Sequence, residues 1–309
     1  MYIDVIKTPL SSSNVSAKAM SSMGAFFINI AAGSEAVEQG IQMRTPSSVG
    51  VTSNEAFFAR LARLGHPKGG IILLGLAAIM YGIACFLQRD FAIYWQPVPQ
   101  DMPFRLPLAY LSAGLLVLGG AGLLITRTVR AAAMLLLLLF LLYDAGYLWI
   151  LIHEGLEKSL LGLAEQSSVV IGSWAILLRT RAGGSAATAV ARIGFGICSI
   201  IFALAHFIGF KITASMVPTW MPGGQLFWAI ATGVGHLAVG LALIGNRLAI
   251  PATRLGALMY SAFALLTWMV PAFMHPTEWL RWAGVAISLC MAGALLLVGD
   301  LLAARREDE

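Results

Sequence analysis

Eight apolar runs, each about long enough to cross a bilayer, occupy most of positions 69–302 in a chain of 309 residues. They cover 69–87, 106–125, 131–152, 160–178, 193–210, 225–244, 255–274 and 282–302. A hydrocarbon core of roughly 30 Å needs about 20 apolar residues in helical form. The runs are continuous, as from Leu135 to Leu142, and lack the strict alternation of barrel strands. Charged residues make up only 11% of the chain, where a soluble domain carries about a quarter. The fold class expected is all-α: a polytopic membrane helical bundle of eight transmembrane helices.

The formal charge of +5 does not point to nucleic acid, because the basic residues sort by side. Arg60, Arg63, Lys68, Arg127, Arg130, Arg179, Arg181, Arg192, Arg247, Arg254, Arg305 and Arg306 fall on one side of the spans. Arg89, Arg105, Lys158, Lys211 and Arg281 fall on the other. Twelve against five is the positive-inside pattern, so both ends of the chain are expected in the cytoplasm. The excess charge then contacts anionic lipid. Cys85, Cys198 and Cys290 lie in different spans with no CxxC pair, which disfavours dithiol exchange and leaves them as small core residues.

Residues 1–53 are polar and Ser-rich and are expected to form a disordered cytoplasmic tail. Within 54–65, Asn54 is placed to cap a helix whose Phe57, Phe58, Leu61 and Leu64 share one face beside Arg60 and Arg63. That pattern predicts an interfacial amphipathic helix. Residues 305–309 form a second short cytoplasmic tail.

The spans contain an internal duplication. At an offset of 121, Gly75 meets Gly196, Phe86 meets Phe207, Pro97 meets Pro218, Gly114 meets Gly235 and Gly119 meets Gly240. Two four-helix repeats, 66–181 and 182–304, account for this. Four crossings return the chain to its starting side, so the repeats are parallel, N-in and C-in. Small residues one turn apart, as in Ala78/Gly82 and Ala231/Gly235, allow close helix approach.

Three stretches carry a resemblance. His206-Phe207 closes the fifth span, Met216-Val217-Pro218-Thr219-Trp220-Met221-Pro222 follows, and Thr232 to Leu241 is Gly-rich around His236. The first half repeats this more loosely through Phe86, Gln96-Pro97-Val98-Pro99 and Gly114 to Gly122. The pattern resembles the DoxX family of small bacterial four-helix membrane proteins, here in two tandem copies over about 69–302. In many relatives an acidic residue stands where this chain has His236. The resemblance implies a bacterial inner-membrane protein, a subunit or scaffold associated with quinone-linked redox enzymes. It also implies a quinone or a lipid as ligand.

Ionisable groups at membrane depth cost several kcal/mol and so require a reason. Asp144 lies past the middle of the third span between Tyr143 and Tyr147, whose hydroxyls are expected to hydrogen-bond it. His206, His236 and His275 lie in or at the end of the second-repeat spans. Counted along ideal helices at 1.5 Å per residue, His206 and His236 differ in depth by roughly 10 Å, which argues against a shared haem. Single histidines on separate helices give no metal site. Tyr94, Trp95, Trp220, Trp228 and Trp279 fit interfacial anchors. A competing arrangement is a lid over a cavity between the repeats, lined by Trp220, His206, His236 and Gln225. The candidate ligand-binding residues are Asp144, Tyr143, His206, His236, Trp220, Gln225 and His275. No nucleophile–base pair, phosphate loop, HExxH or dinucleotide fingerprint appears, so a self-contained enzyme is disfavoured. Two functions remain: a non-catalytic membrane subunit that docks a redox enzyme or forms a homo-oligomer, and a small-solute or proton-coupled transporter using Asp144 and His236.

Overall fold

A computed structural model describes residues 68–180 and 184–308. The tail at 1–53, the amphipathic helix at 54–65 and the last residue lie outside the described residues. Every regular element among them is helical: α1 Gly69–Gln88, α2 Arg105–Leu124, α3 Val129–Glu154, α4 Leu156–Thr180, α5 Ser185–Ile208, a short α6 Phe210–Met216, and α7 Gly224–Gly245. Then come α8, Ala249–Met274, and α9, Trp279–Asp308. Eight of these are long and apolar enough to cross a membrane, which makes the chain an integral, multi-pass membrane protein.

Chain geometry sets the turns. Arg89 closes α1 in the left-handed region at φ 58° and donates its N–H to the Phe86 carbonyl. Gly155, at φ 96°, separates α3 from α4 by a single residue, a conformation that costs glycine least. Several helices run past the apolar runs: α4 begins at Leu156 and α5 at Ser185. The added turn of α5 carries Arg192, whose guanidinium donates to the last carbonyls of α7, Leu243 and Ile244. A cation there offsets the unpaired C-terminal carbonyls.

Glycine fixes the tightest crossings. A Cβ on Gly75 would lie 2.9 Å from the Gly120 carbonyl, and one on Gly120 would lie 2.5 Å from the Gly75 carbonyl. The same reciprocal contact joins α5 to α7, where Gly196 and Gly240 stand at 3.1 and 2.9 Å by the same measure. The crossing glycine of α2 is therefore Gly120, the neighbour of Gly119.

Helix α9 is the axis of the bundle. It packs on α1, α4 and α8 and touches α5, and 89% of its apolar window is buried against 22% for α8. Gly293 on α9 meets the Leu74 backbone of α1, and Gly172 of α4 meets Ala294. Helix α8 widens into a π-helical turn over Phe263–Met269. Pro271 follows directly and has no N–H to donate, so the preceding carbonyls need another arrangement. The π turn also swings Trp268 flat against Gly284, where a Cβ would stand 2.4 Å from the ring.

Candidate functional site

The connection between α1 and α2 folds into the bundle. Asp90 accepts from Arg105 at 2.8 Å, and Arg105 also donates to the Val98 and Pro99 carbonyls at 2.8 and 2.6 Å. This clamp drives the segment between them inward, so that Phe91, Ala92, Trp95 and Gln96 are all buried. Gln96 is the peg. Its carbonyl accepts from the Ala92 N–H at 2.7 Å and from the Cys85 thiol, and its amide donates to Tyr143 at 2.9 Å and to Ser112. Pro97 packs against Gly146 of α3, and the Tyr147 hydroxyl donates to the Tyr94 carbonyl at 2.7 Å.

These bonds correct two expectations. Tyr143 and Tyr147 do not serve Asp144, because both hydroxyls are committed to the 89–104 loop and its surroundings. Trp95 is not an interfacial anchor: it is 4% exposed, whereas Trp220 is 61% exposed. Sequence position alone cannot separate these tryptophans, since both follow polar-to-apolar boundaries beside prolines.

Asp144 is buried, accepts from Ser167 of α4 at 3.0 Å, and has an Oδ1 with no hydrogen-bond partner. Two residues before Ser167, α4 carries a second intramembrane carboxylate, Glu165, which sequence reasoning missed. The run Glu165-Gln166-Ser167-Ser168 inside an apolar span was the available signal. One turn before Glu165, the Tyr147 ring of α3 packs on Gly162 of α4. Among the described residues, no basic side chain forms an ion pair with either carboxylate. Gln166, on the same turn, is fully buried with both amide atoms unpartnered. Orphaned polar groups in a packed interior are costly and call for a partner.

The second half contributes an aromatic cluster. The rings of His206 and His236 are 4.7 Å apart, not separated by the depth that counting along ideal helices gives. Such counting assumes that α5 and α7 end at one level. Beyond Ile208, however, the chain continues through Gly209 into α6 before turning back. His206 Nδ1 donates to the Phe202 carbonyl at 2.8 Å, which fixes its proton on that nitrogen. His236 Nδ1 faces the Tyr260 hydroxyl at 3.4 Å, and Phe202 and Phe263 close the cluster.

The remaining predicted residues lie apart. Gln225 donates to the Val217 carbonyl at 2.6 Å and braces the 217–223 turn. His275 is exposed and pairs with Glu278 at 3.5 Å. Of the predicted set, the structure brings together only His206 and His236. No group of three or more His, Cys, Asp or Glu among the described residues is placed to hold a metal ion.

Two further features were not read from sequence. Arg254, counted above as a topological charge, is buried in α8 and bonds Asp300 of α9 at 2.5 Å, with Arg179 of α4 at 3.7 Å from the other oxygen. On the bundle surface, an apolar groove of about 400 Å³ is lined by Ile83, Phe86, Ala113, Gly114, Val117 and Leu118. Comparison of the chain with family models, with curated proteins and with solved structures gives no match.

Proposed function

We propose that this protein is a carrier for a small solute or for protons in the bacterial inner membrane, with Asp144, Glu165 and His236 as its working groups. The observation that carries this is the pair of carboxylates in the interior, Asp144 with an unpartnered oxygen and neither ion-paired among the described residues. Membrane interiors tolerate such groups where a proton or solute passes. The 89–104 and 209–223 connections face outward on the positive-inside pattern.

The carrier is built from two parallel four-helix repeats, 66–181 and 182–304. Supporting this are the matched glycine crossings of α1 with α2 and of α5 with α7. The fourth spans of the two halves, α4 and α9, also pack on each other, and each packs on the first span of the other half. Parallel repeats related by an axis along the membrane normal are one of the two plans that carriers use. The test is uptake and proton flux in proteoliposomes, with a pH-sensitive dye trapped inside. Asp144→Asn and His236→Ala should each slow the flux at least tenfold; unchanged flux in both variants refutes carriage.

A second role rests on the surface groove. Its floor is Gly114, beside which nothing lies within 4 Å of an added Cβ. The purely apolar lining suits an isoprenoid or acyl chain, as in a DoxX-type subunit that holds a quinone or lipid for a redox partner. Co-purification in mild detergent tests it: Gly114→Leu should release an extractable quinone or lipid that the native chain retains.

A further inference from the structure

The surface groove has a neighbour. A second apolar groove, of about 290 Å³, runs along the other flank of α1, where Met80, Ile83 and Ala84 face Trp279 and Trp282 of α9. The first, of about 400 Å³, lies between α1 and α2. Ile83 lines both and is 47% exposed, so it forms the ridge between them.

Both grooves are built into the packing. A Cβ on Gly82 would lie 2.5 Å from the Ala113 carbonyl, so α1 and α2 cross closely there, and Gly114 beside that contact has no side chain to fill the space. Phe86, a wall of the first groove, is braced by Tyr110 at 4.7 Å between ring centroids. Trp282, a wall of the second, donates to the Pro276 carbonyl at 3.2 Å and meets Phe273 edge to face at 5.1 Å. Walls fixed in this way give largely pre-formed sites.

Charge narrows the occupant. Arg89 follows Leu87 of the first groove by two residues and is exposed. Arg105 and Arg281, at the same end of the spans, are paired with Asp90 and Glu278, whereas Arg89 has no ion pair among the described residues. A guanidinium matches the geometry of a phosphate, and the Trp279 indole sits where headgroups begin. A quinone tail would fill one groove and bring no charge to Arg89. A twofold dimer across the Ile83 ridge would bring two Arg89 cations together.

We propose that the paired grooves hold one two-chain phospholipid from the outer half of the bilayer, a chain on each side of Ile83 and its phosphate on Arg89. This names the ligand of the groove described above and rests on that apolar reading of it. Joining the chains through one glycerol makes the second contact intramolecular, so a one-chain lipid binds more weakly.

The experiment is native mass spectrometry of the full chain, delipidated in detergent and titrated with dioleoylphosphatidylglycerol or with its one-chain lyso form. Saturable binding of one two-chain lipid is expected, at least tenfold tighter than the lyso form. Binding should weaken at least tenfold in Arg89→Gln and in Gly114→Leu, but stay within threefold in Arg89→Lys, which separates a lost charge from a lost fold. Lys211→Gln removes another exposed cation on the same side and should bind as the native chain does. Equal binding of the lyso form, or native affinity in Arg89→Gln, overturns the site. If the native chain retains a quinone that Gly114→Leu releases, and phosphatidylglycerol gives only a statistical ladder of adducts, the phospholipid is refuted and the groove reading stands. If neither quinone nor lipid is held, both fall.

Discussion

Two alanine substitutions six residues apart on α2 should have opposite signs. At Gly120 an added Cβ lies 2.5 Å from the Gly75 carbonyl and 2.8 Å from the Ile79 backbone nitrogen of α1. Both are backbone atoms of a packed helix, so relief requires moving α1 and α2 apart. Overpacking of this kind costs about 1–3 kcal/mol, partly offset by the higher helix propensity of alanine, about 0.8–1 kcal/mol at most. At Gly114 nothing lies within 4 Å of the new methyl, so only the propensity gain of up to about 1 kcal/mol remains. The two variants should therefore differ by about 1–3 kcal/mol, Gly120→Ala the less stable. Unfolding in mixed micelles followed by circular dichroism measures the difference. Equal stabilities, or a less stable Gly114→Ala, would mean that α1 and α2 do not cross where the glycines place them. Gly240→Ala is a graded control: its nearest obstruction is the movable Ile200 side chain at 2.6 Å, with the Gly196 carbonyl at 2.9 Å, so its cost should be smaller.

Asp300→Asn should destabilise the bundle by about 3–5 kcal/mol, because it leaves Arg254 buried without its partner; the double variant Arg254→Met, Asp300→Leu should recover most of that in the same unfolding assay. Gln96→Ala should cost about 1–3 kcal/mol from its lost hydrogen bonds. It should also speed maleimide labelling of Cys85, the thiol it covers, while Cys290 stays unreactive. Trp220→Ala, at an exposed ring, should change stability by no more than about 0.5 kcal/mol.

The number of spans was legible because hydropathy reports directly on what lipid tolerates. Helix ends were less so: the first turns of α4 and α5 are polar, and a hydropathy window discards turns that project beyond the hydrocarbon. The interior site was legible in residue type but not in partnership. Asp144 stands out between two tyrosines, yet a helical neighbour in sequence is a bonding partner only if nothing farther along the chain competes. Gln96 and the Tyr94 carbonyl compete, and they win both hydroxyls. Glu165 went unremarked because it sits in a short polar run with no aromatic beside it. The His206–His236 contact was hidden by a depth count that treats helices as rods of equal standing.

Because the most enclosed helix is also the eighth span in order of synthesis, the first seven must enter the bilayer before the element they surround exists. Until α9 arrives, Leu74, Gly172 and Arg254 line a vacancy that lipid or an insertion chaperone has to occupy, and Arg254 waits there without Asp300. Ribosome-stalled chains ending before residue 279 should therefore be held by the insertion machinery and degraded readily. The interval between the seventh and eighth insertions becomes the vulnerable stage of this protein's biogenesis.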